Sequence, residues 1–160
     1  MKMSKPPSPR PFASALAGAV LAAVLGACAA PVSAPPTLYA RLGGQARVEA
    51  VVSSVIDRAA TDPRTRRSFD GFNLATVKKS IAQFICSSAG GGCVYEGATM
   101  RVAHRDLGIT ASEADALVSL WREEFDRAGV DAGVRNELLR LMALNRRDVV
   151  TAASRGAGRV

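Results

Sequence analysis

The chain has 160 residues, 48% hydrophobic, 22% charged and only 5% aromatic. That suits one domain with a core of Ala, Val and Leu and excludes an enzyme with separate cofactor and substrate modules. The formal charge of +7 does not mark a nucleic-acid binder: three of the 21 cations (Lys2, Lys5, Arg10) sit at the extreme N-terminus, and the other 18 face 14 acidic residues without forming a basic block.

Residues 1–27 read as a targeting segment. Its cations precede a 16-residue apolar run over 12–27, shorter than the roughly 20 residues that span a hydrocarbon core. The run closes on Leu25-Gly26-Ala27-Cys28, which resembles the lipobox of bacterial lipoproteins. The resemblance implies cleavage before Cys28, lipidation of that cysteine and attachment to a membrane. Ala29, in place of an aspartate, implies the periplasmic face of the outer membrane. An ordinary signal peptide with a cysteine near the cut is the alternative. Residues 28–37 (CAAPVSAPPT) have neither helical nor strand period and read as a tether.

The body, 38–150, reads as all-α. Over 45–60, Val48, Val51, Val52, Val55, Ile56 and Ala59 fall at steps of three and four, the stripe of an amphipathic helix. Asp62-Pro63 predicts an N-cap and first turn of a short helical segment, and Asn73 caps the next helix, with stripe Leu74, Val77, Ile81, Phe84, Ile85. That helix ends before Gly90-Gly91-Gly92. After a loop and a short stretch over 100–106, Thr110 and Glu113 form a capping box for a long helix with stripe Ala114, Leu117, Val118, Trp121, Phe125. One last helix over 131–150 turns Val134, Leu138, Leu141 and Met142 inward, and 151–160 is a flexible tail. No alternating strand pattern and no repeat interrupts this series.

The sequence has no G-x-S-x-G, Walker loop, H-E-x-x-H or CxxC, and its only histidine is His104. On spacing alone, a lone histidine on a short helix is a structural residue. Its surroundings change that reading. In order along the chain come Leu38-Tyr39-x-Arg41-Leu42-Gly43-Gly44, Val51-Val52, Arg58, Thr61-Asp62-Pro63, Phe69, Gly90-Gly91, Tyr95-Glu96-Gly97, Met100, Ala103-His104 and Leu107-Gly108-Ile109-Thr110. Over about 113 residues this series resembles the group 1 truncated haemoglobins. The resemblance implies a two-over-two helical sandwich around haem b, with His104 as the iron ligand and Phe69 packing on the haem. Met100, Leu107, Ile109 and Val118 would line the pocket wall. For each of these four, plain core packing is the alternative, and for Val118 alone it is the stronger one.

The other haem face departs from the family. Ile56 stands where a tyrosine is usual, Ile81 where glutamine is frequent, and Val77 at the neighbouring gate. None donates a hydrogen bond, and a one-residue slip, to Val55 or Ser80, would improve only the second. The resemblance thus implies a five-coordinate iron that binds oxygen, nitric oxide or carbon monoxide in an apolar distal pocket. Ser80 replaces a cation that can meet a haem propionate; Lys78, Lys79 and Arg101 are substitutes, though solvated charge is the plainer role of each.

Cys86 and Cys93 are bland thiols in a reducing compartment; export makes a disulfide the expectation, with Cys28 as the odd cysteine. Three function classes stay open. One is a gas-binding haem protein. The second is a haem enzyme of nitric oxide detoxification or peroxidase type, which needs a separate, unidentified reductase. The third is a haem-free interaction lipoprotein, against which the single histidine speaks.

Overall fold

The protein is described from a computed structural model covering residues 34–151. The expected signal segment, Cys28, most of the expected tether and residues 152–160 lie outside the described residues. Those described form helices α1 (Leu38–Arg41), α2 (Gly44–Ala59), α3 (Leu74–Ser88), α4 (Met100–His104), α5 (Ala111–Arg127), α6 (Ala132–Ala143) and α7 (Arg146–Val149), with a 3₁₀ turn at Arg66–Phe69 between α2 and α3. Among them there is no strand.

Local chemistry explains most boundaries. Asn73 accepts from the Thr76 amide and opens α3, and Thr110 with Glu113 closes a reciprocal capping box that opens α5. Gly43, at φ 98°, makes the sharp entry into α2 that a side chain would strain. Asp62 differs from its expected role: its carboxylate accepts from the Arg64 amide and guanidinium, making a turn, and the 3₁₀ helix begins only at Arg66. The expected single helix over 131–150 is two. The chain breaks at Leu144 and Asn145, and α7 turns back toward α4. Leu144, at 80% exposure, belongs to no core.

The central helix is α2. It packs on α3 and α5, and α6 pairs with α5 to complete two layers of two helices. Val48, Val52, Val55, Ile56 and Ala59 are fully enclosed with Leu42, Ile85, Leu120, Trp121, Phe125 and Leu138. Trp121 and Phe125 stack at 5.7 Å. Aliphatic side chains carry the burial that a core poor in aromatics requires.

One carboxylate lies inside this packing. Glu124 is 5% exposed and accepts from Ser54 Oγ at 2.8 Å and Arg58 Nη1 at 2.6 Å, and also from Arg127. Burial pushes its pKa up, but the bonds from Ser54 and Arg58 and the nearby guanidinium charges outweigh that and hold it below the usual carboxylate range. At Glu113, burial is likewise outweighed by Arg67 and Thr110, and the pKa is held at about 2. Carboxylates with depressed folded pKa values contribute stability in full above the unfolded value and lose it as pH falls through the folded one. Melting temperature should therefore be level from pH 7 to about 5 and decline as pH falls from there toward 2. Glu124→Gln should cost roughly 1 to 3 kcal/mol at pH 7 and flatten the decline; an unchanged acid limb would contradict the network's role.

Cys86 at the end of α3 and Cys93 in the loop beyond it are joined by a disulfide with a Cα–Cα distance of 5.7 Å. The bridge is tightly wrapped: a Cβ at Gly91 would fall 2.6 Å from Cys86 Sγ and from the Tyr39 ring. Closing a loop with sequence separation 7 stabilises by about 2 to 3 kcal/mol in the chain-entropy treatment. Cys86→Ser with Cys93→Ser should lower unfolding free energy by about that amount, measured by urea titration. No loss would mean that the bridge restrains nothing.

Candidate functional site

A cavity of about 820 Å³ opens between the layers. Ile56 of α2, Phe69 of the 3₁₀ turn and Val77, Ile81 and Phe84 of α3 form one side. Met100 and His104 of α4 with Leu107 and Ile109 form the other, and Leu117, Val118 and Trp121 of α5 close the inner end. Every pocket position expected from the sequence lines this one cavity. Ile56 is enclosed and Ile109 nearly so, whereas Phe69, Val77, Ile81, Met100, Leu107 and Val118 are only half-buried. Of the expected stripe on α5, Ala114, Leu117, Val118 and Trp121 line the cavity and Phe125 lies in the core, where Ala116 and Leu120, outside that stripe, are buried as well.

His104 sits on the last turn of α4, which Thr99 caps by accepting from the Val102 amide. Its Nδ1 lies 2.7 Å from the Met100 carbonyl oxygen. A carbonyl only accepts, so Nδ1 carries the proton and Nε2 keeps its lone pair. A backbone acceptor behind the ring that sets the tautomer is the usual support of a metal-ligating imidazole. No cluster of three or more metal-ligand side chains occurs among the described residues, so any metal held here would rely on the one imidazole and on ligands it brings with it.

Polar side chains also border the cavity, Ser80 and Tyr95 among them. Tyr95 meets Phe84 edge to face at 5.5 Å and donates to the Ala98 carbonyl at 3.1 Å, with Ser80 Oγ 3.4 Å from its hydroxyl. Tyr95 entered the sequence reading only as a motif residue, and nothing in its neighbourhood announced this pairing. Of the three substitute cations, Lys78 pairs with Asp57 at 2.7 Å and Arg101 with Asp148 at 2.8 Å; Lys79 is exposed. Leu139 and Met142 of α6 also reach the cavity. Met142 was read as inward-facing core and Leu139 was not singled out, because only Leu138 continued the stripe.

The sequence pattern of the bacterial-like globins matches residues 37–151, through the whole of this site. The chain belongs to that family. This globin is 26% identical over 113 residues to a group 1 truncated haemoglobin of Tetrahymena thermophila, covering 71% of this chain and 93% of the relative. With the group 1 truncated haemoglobin of Nostoc commune, identity is 29% over 96 residues, 60% of this chain and 81% of the relative. Among solved structures, the Fe(III) truncated haemoglobin of Tetrahymena pyriformis superposes with a TM-score of 0.69 at 24% identity, over 72% of this globin and 98% of that chain. A 2/2 haemoglobin from Synechococcus, in the cyanomet state with covalently attached haem, gives 0.68 at 27% over the same shares.

Haem is the cofactor of this family, and the residues present fit it. The cavity volume lies within the few hundred to about 1,000 Å³ usual for cofactor sites. Its walls are mostly apolar, and His104 borders it with Nδ1 turned to the Met100 carbonyl, which leaves Nε2 for a ligand role.

Proposed function

We propose that this globin binds haem b through His104 Nε2 and uses it to bind diatomic gases reversibly. The observation that carries the reading is the Nδ1 contact to the Met100 carbonyl at 2.7 Å, which leaves Nε2 as a ligand on the wall of an apolar cavity. Haem, when bound, would supply an iron able to take a diatomic gas as ligand. Phe69, Met100, Leu107, Ile109 and Val118 would hold the macrocycle and exclude water. Ile56, Val77 and Ile81 would surround the gas without offering a donor, and the chain has no second imidazole to compete with it for the iron. The haem b reading is supported by the cysteines of the body, which bond each other and so offer no thiol for covalent attachment. Reduced protein should give a five-coordinate ferrous spectrum that shifts on carbon monoxide and returns when the gas is displaced; a six-coordinate ferrous spectrum, or no shift, would refute the reading.

We further propose that Cys28 is lipidated and that the tether holds the globin off the periplasmic face of the outer membrane. The lipobox-like Leu25-Gly26-Ala27-Cys28 and the export-compatible disulfide support this. Cells grown with a labelled fatty acid should label the wild type and not Cys28→Ser; equal labelling would refute it.

A further inference from the structure

The histidine sits on a helix of five residues, too short to hold its own geometry in water. The segment that follows it, through Ile109, has almost no secondary structure of its own. Besides one turn bond, from the Leu107 amide to the His104 carbonyl at 3.1 Å, it is held by two residues distant in sequence. From the 3₁₀ turn, Arg67 donates through Nη1 to the Leu107 carbonyl at 3.1 Å and through Nη2 to the Gly108 carbonyl at 3.0 Å. The same guanidinium donates through Nε and Nη2 to the Glu113 carboxylate at 3.0 and 2.8 Å. From the C-terminal side, Thr151 Oγ1 donates to the His104 carbonyl at 3.1 Å and accepts from the Ile109 amide at 3.2 Å. The Thr151 amide donates to the Ile109 carbonyl at 3.0 Å. Thr151 therefore belongs to the folded body and not to the tail to which the sequence assigned it.

We infer that Arg67 and Thr151 are positioning residues for the proximal histidine: a two-sided clamp that fixes the backbone from His104 to Ile109 and thereby the height and rotation of the imidazole over the cavity. The inference rests on the proposed haem ligation by His104. A guanidinium suits the task because its fixed fork of donors reaches two carbonyls and a carboxylate together. Arg67 also links the turn that carries Phe69 to the segment that carries Leu107 and Ile109, so the two walls of the cavity move as one. A lysine in its place keeps the charge facing Glu113 but cannot span all three acceptors.

Arg67→Ala, Arg67→Lys and Thr151→Val, made in the haem-loaded protein, separate this role from general stability. Thr151→Val preserves side-chain volume and the backbone bond to Ile109, which guards against simple misfolding. Expected results are haem loss to an acceptor globin accelerated roughly tenfold in Arg67→Ala and several-fold in Thr151→Val. The iron–histidine stretching band should shift or broaden in both, and amide exchange should rise at 105–109 and not in α2. Arg67→Lys should recover part of each effect. A wild type that takes up no haem overturns the functional reading on which the clamp depends. Wild-type haem uptake, with haem loss, stretching band and exchange unchanged in Arg67→Ala and Thr151→Val, overturns the clamp and leaves that reading standing.

Discussion

His104→Ala should leave the purified globin almost without haem after gel filtration, because it removes the only imidazole in the chain. Glu113 and Asp115 also border the cavity, but Glu113 is committed to Arg67 and Thr110 and Asp115 to Arg146. Added imidazole should restore part of the binding by occupying the vacated ligand position. Val118→Ala, on the same cavity wall, should retain haem and lose about 1 kcal/mol of stability, since a half-buried methyl pair is the whole of its contribution. The contrast matters: a general loosening of the pocket would affect both variants, whereas loss of the iron ligand affects one. Equal haem content in His104→Ala and the wild type would remove the histidine from its assigned role.

Ile56→Tyr should slow dioxygen release by roughly tenfold or more and change carbon monoxide release much less. Dioxygen draws negative charge when held by ferrous iron, so a donor stabilises it by about 1.5 to 3 kcal/mol, and carbon monoxide depends little on such a bond. Ile56 is fully enclosed on α2 and lines the cavity, so a phenol there points toward the space that Val77 and Ile81 also border. The larger ring will overpack the α2 core at a cost of about 1 to 3 kcal/mol; the carbon monoxide rate, measured by stopped-flow displacement on the same sample, controls for that. Equal dioxygen rates in the two proteins would mean that a hydroxyl such as Tyr95 or Ser80, or a water, already serves the wild-type site.

The parts of the fold that were legible in the sequence are those whose chemistry is local. Asn73 and the Thr110–Glu113 box act across three residues, and each opens its helix where expected. The α2 stripe is complete because a helix packed on two neighbours must be apolar on every face it buries. The break between α6 and α7 carries neither Gly nor Pro to announce it, and Leu144, three residues after Leu141, keeps the helical period yet points to solvent. Glu124 lay hidden for another reason. Its partners Ser54 and Arg58 are 70 and 66 residues away, and a glutamate on α5 beside two other charges reads as surface. The same holds for Arg67, which looks like one of several solvated arginines until the fold brings Leu107, Gly108 and Glu113 to it. The pocket was legible only through the ordered landmarks around His104, since half-buried apolar residues on five elements have no common period.

The central claim, a single haem site ligated by His104, is tested most directly by titrating the apo-globin with haemin and recording the Soret band. The band should saturate at one equivalent, and reduction should give a five-coordinate spectrum with an iron–histidine stretching band that is absent in His104→Ala. Uptake that never saturates, or a saturating spectrum identical in the His104→Ala protein, would contradict it.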